Sequence, residues 1–316
     1  MCKYRNVAFL FPGQGAQYVG MGRDFFQSFS TAKETFKEGD EILERKLSSI
    51  VFSGPEDRLT ETKNSQPAIF LNSAAIMRVI AEQFPSLRPN VCAGLSLGEY
   101  TAVMASEKLA FSDALRLVQY RANYMNEACE KNLGEMAVVM GLDHSLAENI
   151  VKEINMPNDL WTANFNCPGQ VVISGTPKGI KVAKEIFKEG GARRILPLTV
   201  HGAFHSGLMD SAEKQLADKV LRAPFSDSSI SLVMNFTGDY VSIATDIKRH
   251  LVSQVTNPVR WEKGIRSMLC KGVDLFLEIG CGNTLSGMNK RIGVDAPVLN
   301  IDKVEDLNCL DEILNK

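Results

Sequence analysis

Apolar residues follow two rhythms along this chain. In the outer parts they form short runs, and Val7-Ala8-Phe9-Leu10-Phe11 is apolar at every position, the pattern of a strand covered on both faces. Further strands are predicted from residue 91, over 230–235 and 273–279, and as an edge over 298–301. Between these runs the spacing changes to threes and fours, which predicts helices. One covers most of 25–47. A second opens at Ser65-Gln66-Pro67, with Ser65 as cap and Pro67 in the first turn, and runs to about 84. A third, over 113–130 behind Ser112, carries the stripe Ala114, Val118, Ala122 and Met125. Others begin near 209 with Leu216 and Val220, behind Thr245 up to 255, and at Asn257-Pro258-Val259-Arg260-Trp261. Strands alternating with helices imply an α/β fold whose mostly parallel sheet is covered on both faces.

The middle of the chain differs. Strands are predicted over 136–142, 160–164, 171–174 and 194–200, and helices over 145–154 and 177–190. Asn166-Cys167-Pro168-Gly169 joins the two central strands. The order β-α-β-β-α-β is that of a ferredoxin-like unit. It predicts an inserted subdomain, residues 133–201, within a body made of 1–132 and 202–316.

Composition narrows the function. At 45% hydrophobic and 23% charged residues, the chain has the make-up of a soluble globular protein. Its net charge of -2 gives no reason to expect nucleic acid as a partner. No apolar run approaches a membrane span, and the amino end leads straight into a strand, so neither membrane nor signal peptide is expected. The seven cysteines are scattered with no Cys-x-x-Cys, which fits reduced thiols in the cytoplasm and no metal site.

The candidate chemistry centres on Gly94-Leu95-Ser96-Leu97-Gly98. A strand before it and a helix after it make a sharp turn that lifts the serine hydroxyl above the sheet, in front of the helix N-terminus. The plainer alternative is a serine that only caps that helix. A glycine-rich loop, Pro12-Gly13-Gln14-Gly15-Ala16-Gln17, follows the first strand; without a Walker lysine it is a weak phosphate signal, and its backbone can instead offer an N–H to a reacting oxygen. A serine nucleophile needs a base. His144 sits at a helix start and His250 in a charged, solvated turn. His201 and His205 lie on a loop just after a strand, and the sequence does not separate them. Arg121 borders the buried stripe of its helix, where a structural ion pair with a local glutamate, or a side chain snorkelling to solvent, is the plainer expectation.

Taken in register, Phe-Pro-Gly-Gln-Gly-Ala-Gln at the amino end, Gly-Leu-Ser-Leu-Gly-Glu-Tyr, Gly-Ala-Phe-His, Asn-Pro-Val-Arg-Trp and Glu-Ile-Gly-Cys-Gly resemble the malonyl-CoA:acyl carrier protein transacylase family over nearly the whole chain. The resemblance implies an α/β-hydrolase-like body with a ferredoxin-like insert. It also implies malonyl transfer from malonyl-CoA to holo acyl carrier protein by ping-pong kinetics in fatty-acid synthesis, a monomer, and no cofactor. It makes Ser96 the nucleophile, His205 the base and Arg121 the clamp for the malonyl carboxylate. Backbone N–H groups of Gln14 and Leu97 become the oxyanion hole, the main-chain carbonyl of Gln254 orients the histidine, and Gln66 and Asn164 lie near the substrate. Leu95, where many members have histidine, Cys281, where proline is usual, and the nearby His201 depart from the pattern. Alternatives are a serine hydrolase or thioesterase, an acyltransferase of polyketide synthesis, and a catalytically silent docking protein. An acidic carrier calls for a basic patch, with Arg260, Lys263, Arg266, Lys290 and Arg291 as candidates.

Overall fold

The computed structural model describes residues 4–200 and 202–314. Its strands are β1 Val7–Phe11, β2 Val91–Gly94, β3 Glu135–Met140, β4 Leu160–Cys167, β5 Gln170–Gly175, β6 Arg194–Pro197, β7 Ser231–Met234, β8 Asp239–Val241, β9 Leu275–Ile279 and β10 Val298–Ile301. They form two sheets. The six-stranded sheet has the order β10-β9-β1-β2-β7-β8 and is parallel except for β8, which turns back on β7. The four-stranded sheet has the order β4-β5-β3-β6 and is antiparallel throughout, the ferredoxin-like arrangement.

Strand periodicity explains how each sheet is covered. Along β1, Val7, Phe9 and Phe11 enter one hydrophobic cluster while Ala8 and Leu10 enter another on the opposite face. Along β3, Ala137 and Val139 pack under the amphipathic helices His144–Ile154 and Pro177–Glu189, together with Ile150, Ile180 and Phe187. The alternate positions, Met136 and Val138, face a cleft toward the larger sheet. Among the described residues no helix is long and apolar enough to cross a membrane.

Several local expectations shift. The region 25–47 is broken at Phe29, which is extended (φ -129°, ψ 127°), into Arg23–Ser28 and Ser30–Ile42. The helix expected to open at Ser65 starts a turn earlier and runs Thr62–Gln83, so Ser65 is buried rather than capping and Pro67 lies inside. A proline cannot donate to the carbonyl of the residue four positions back. Here that carbonyl, on Lys63, accepts from Arg45 Nη2 (3.1 Å) and Gln119 Nε2 (3.2 Å) instead. Ser112 and Thr245 do not cap either; their helices, Phe111–Lys131 and Ala244–Ser253, start one residue before them. His250 is not solvated: it is 6% exposed and packs beside Phe236. The short strand β8 carries no apolar run that would announce it.

Candidate active site

The serine turn is built by close backbone approach. A Cβ on Gly94 would stand 2.0 Å from the carbonyl carbon of Gly98, and one on Gly98 would stand 2.1 Å from the oxygen of Phe11. Only glycine at both places lets the helix Gly98–Ala105 press against the ends of β1 and β2. Ser96 then sits in the left-handed region at φ 53°, a strained conformation for a residue with a side chain. Asn235, just past β7, holds it there: its Oδ1 accepts the Ser96 N–H (2.6 Å) and its Nδ2 donates to the carbonyl of Gly94 (2.7 Å).

Two groups meet at the serine hydroxyl. His205 Nε2 lies 2.9 Å from Ser96 Oγ. Its Nδ1 lies 2.7 Å from the main-chain oxygen of Gln254. A carbonyl only accepts, so Nδ1 carries the proton and the Nε2 lone pair faces the hydroxyl. Burial and then the nearby Arg121 cation push the imidazole down to about 4, so it is a neutral acceptor at neutral pH. Arg121, 1% exposed, donates from Nη2 to Ser96 Oγ (3.0 Å) and to Gln254 Oε1 (2.9 Å), and from Nη1 to Gln66 Oε1 (2.7 Å). Among the described residues its Nε has no partner, and its guanidinium lies over the ring of Tyr100. Burial pulls the guanidinium below its usual value, but arginine starts so high that it stays a cation. The expected glutamate ion pair is therefore absent; among the described residues no carboxylate forms a salt bridge with Arg121.

The remaining residues singled out in the sequence are brought to the same place. Gln14 lines the cleft with Ser96, and its Oε1 accepts from Gln66 Nε2 (3.2 Å). The loop before it fits so tightly that a Cβ on Gly13 would meet the Leu95 oxygen at 2.5 Å. Among the described residues, neither the Gln14 nor the Leu97 main-chain N–H donates to a protein acceptor. Asn164, on β4, lines the cleft from the other sheet, beside Asn166 and Gln170. Leu95 forms part of the cleft wall, and Cys281 is buried away from it with its thiol pushed up by burial. His201 lies outside the described residues. Of the basic candidates, Arg266 is paired with Glu262 and Lys263 donates to the Thr237 carbonyl. Arg260 lies over Phe165, 3.9 Å from Glu148. Lys290 and Arg291 are exposed on the helix Thr284–Ile292, whose first residues line the cleft.

Two residues to which the sequence reading gave no role complete the site: Asn235, outside every motif, and Glu99, inside Gly-Leu-Ser-Leu-Gly-Glu-Tyr. Glu99 is fully buried; its Oε1 accepts the Asn235 N–H (2.5 Å) and its Oε2 accepts from Gln254 Nε2 (2.8 Å). Burial pushes its carboxyl up to about 8, against the pull of Asn235, Arg121 and Gln254. Besides its place in that motif, the signal for Glu99 in the sequence is that it is the one charged residue of the Gly98-Glu99-Tyr100-Thr101-Ala102-Val103-Met104-Ala105 helix.

A hydroxyl between a neutral imidazole and a buried cation, at the carboxyl ends of a parallel sheet, is equipment for moving an acyl group. The acyl transferase domain family matches residues 8–294. More narrowly, the chain belongs to the malonyl CoA-acyl carrier protein transacylase family. It is 41% identical over 312 residues to the malonyl CoA-acyl carrier protein transacylase of Bacillus subtilis, covering 98% of each chain. The crystal structure of the Streptococcus pneumoniae homologue superposes with a TM-score of 0.92 at 38% identity, covering 97% of this chain and 99% of that one. A malonyl-transacylase solved in complex with its type II polyketide-synthase acyl-carrier protein superposes at 0.93 with 35% identity, covering 99% and 100%.

Proposed function

We propose that this chain moves the malonyl group of malonyl-CoA to the phosphopantetheine thiol of holo acyl carrier protein, through a malonyl ester on Ser96. His205 Nε2 takes the hydroxyl proton as Oγ attacks the thioester carbon. The tetrahedral oxyanion is met by the unpartnered N–H groups of Gln14 and Leu97. The C–S bond breaks, and coenzyme A leaves as a thiol with the proton from His205. The carrier thiol then gives its proton to His205 and attacks the ester; the C–Oγ bond breaks and Ser96 recovers its proton. The thioester is already activated, so the scheme needs no metal or cofactor.

The observation that carries this reading is the buried Arg121 guanidinium, 3.0 Å from the nucleophilic oxygen. The free carboxylate of a malonyl ester lies two carbons beyond the ester carbon, within reach of that cation, and a planar fork matches it in two hydrogen bonds. An acetyl group would leave the charge unpaired, which supports selection for malonyl. A plain hydrolase has less use for such a clamp.

Every group in the scheme comes from one chain, so a monomer suffices. The described cysteines Cys92, Cys129, Cys167, Cys270, Cys281 and Cys309 are free thiols, in keeping with the cytoplasm. Segment 133–201 serves as the insert that forms the second wall of the cleft, and Lys290 and Arg291 offer the carrier a basic approach. Exposure to malonyl-CoA, followed by intact mass and peptide mapping, tests the scheme. A malonyl adduct on the Ser96 peptide that discharges onto added holo carrier protein is expected. Free malonate released without carrier would mean a hydrolase, and no adduct at all would mean a silent docking protein.

A further inference from the structure

A buried cation without a counter-charge is costly, and among the described residues no carboxylate forms a salt bridge with Arg121. Its compensation runs through an amide. Arg121 Nη2 donates to Gln254 Oε1 (2.9 Å), and Gln254 Nε2 donates onward to Glu99 Oε2 (2.8 Å) and to the Ser96 carbonyl (2.8 Å). We propose that Glu99 is the counter-charge of Arg121, coupled to it through the side-chain amide of Gln254, and that this coupling aims the guanidinium at the acyl pocket. The inference rests on Arg121 taking the substrate carboxylate. Glu99 touches neither substrate nor reacting atoms in this scheme; it is a positioning residue.

The orientation is forced. The other Glu99 oxygen accepts the main-chain N–H of Asn235 (2.5 Å), a donor that cannot rotate. Both oxygens accept and neither donates, so these contacts fit the carboxylate, the form that prevails above the value of about 8 to which burial pushes Glu99. With Glu99 in that form, Gln254 must present Nε2 to it and Oε1 to Arg121. The Ser96 carbonyl enforces the same choice, because it too can only accept. The guanidinium is thereby held with one Nη on Gln254 and Ser96 and the other on Gln66, leaving Nε free.

The substitution Glu99→Gln removes the charge and keeps the shape. The new amide oxygen must face the Asn235 N–H, so its NH2 faces Gln254. Gln254, whose Nε2 is still held by the Ser96 carbonyl, then meets that NH2 donor against donor, and the bridge no longer carries a charge back to the guanidinium. Steady-state kinetics at pH 8.5, with malonyl-CoA and acetyl-CoA as alternative donors, read the effect. Malonyl-CoA KM should rise about tenfold with kcat little changed, the scale of a lost hydrogen bond to a charged group. Acetyl transfer should be unchanged, and in an Arg121→Ala background the same substitution should add nothing. Gln254→Met, which cuts the bridge from its other end and also the hydrogen bond to the Ser96 carbonyl, should lower transfer with both donors but malonyl transfer further, and serves if Glu99→Gln does not fold. Equal losses with both donors would overturn the proposal, since that is what a merely structural role in the turn predicts. So would an unchanged malonyl KM in Glu99→Gln when Arg121→Ala raises it. An unchanged malonyl KM in Arg121→Ala would instead remove the clamp itself.

Discussion

The two sheets bound one cleft but contribute to it differently. The parallel sheet is packed on both faces, and it supplies the strained and charged groups: Ser96 at φ 53°, the buried Arg121 contacts, and Asn235 and Glu99 behind them. The antiparallel sheet packs one face on its own two helices and turns the other to the cleft, giving Met136, Val138 and Val172 with the amides of Asn164 and Asn166. Strained backbone and buried charge persist only where surrounding structure over-determines them. A wall needs only shape and a few polar atoms. Chemistry and substrate shape are thus carried by separate parts of the chain.

That division can be broken by experiment. The largest expected effect lies on the parallel-sheet side: Arg121→Ala should lower malonyl kcat/KM by roughly 10²–10³ while keeping or raising acetyl transfer, measured with both donors. Unchanged malonyl preference would show that the wall, not the cation, selects the acyl group.

Next comes pH. His205 is held down at about 4, so kcat/KM for acylation of Ser96 should stay flat from neutral pH downward and fall only around 4, instead of near the ordinary imidazole value of about 6.5. Stability moves first. The unfolded chain takes up this proton near 6.5 and the folded one resists until about 4, so stability falls as pH drops through that window, by about 3 kcal/mol. Denaturant melts at pH 7 and pH 4.5 measure that loss, beneath the contribution of other titrating groups. An acid limb near 6.5 would mean that the imidazole is far better hydrated than its burial implies.

The smallest effects on chemistry should come from the antiparallel sheet. Val172→Ala in the cleft wall should raise malonyl-CoA KM less than about tenfold and leave kcat unchanged. Ile173→Ala, one residue on and facing the helices, should cost about 2–5 kcal/mol in a denaturant melt with no change in kcat of the folded protein. A large kcat loss from either would mean that this sheet takes part in the chemistry.

Much of this was legible along the chain. The run at 7–11, the serine turn between two glycines and the β-α-β-β-α-β order each reflect periodicity or backbone sterics within a few residues, and each is found where the pattern predicts it. The failures are as physical. Pro67 looked like a helix opening because proline is tolerated there, yet distant Arg45 and Gln119 satisfy the carbonyl it frees. His250 looked solvated among charges because nothing nearby announces Phe236.

The chain by itself determined most of its strands and helices and the strained corner that exposes Ser96, since these follow from the shape and polarity of neighbouring residues. Tertiary packing alone decided which groups surround that hydroxyl. His205 is 109 residues away along the chain, Asn235 139 residues away, and Gln254 stands 133 residues from Arg121. Glu99 becomes a partner for that arginine only because β7 and the end of a distant helix close over it. Contacts at such separations leave no periodic trace in the sequence, because they depend on how completed elements stack against one another.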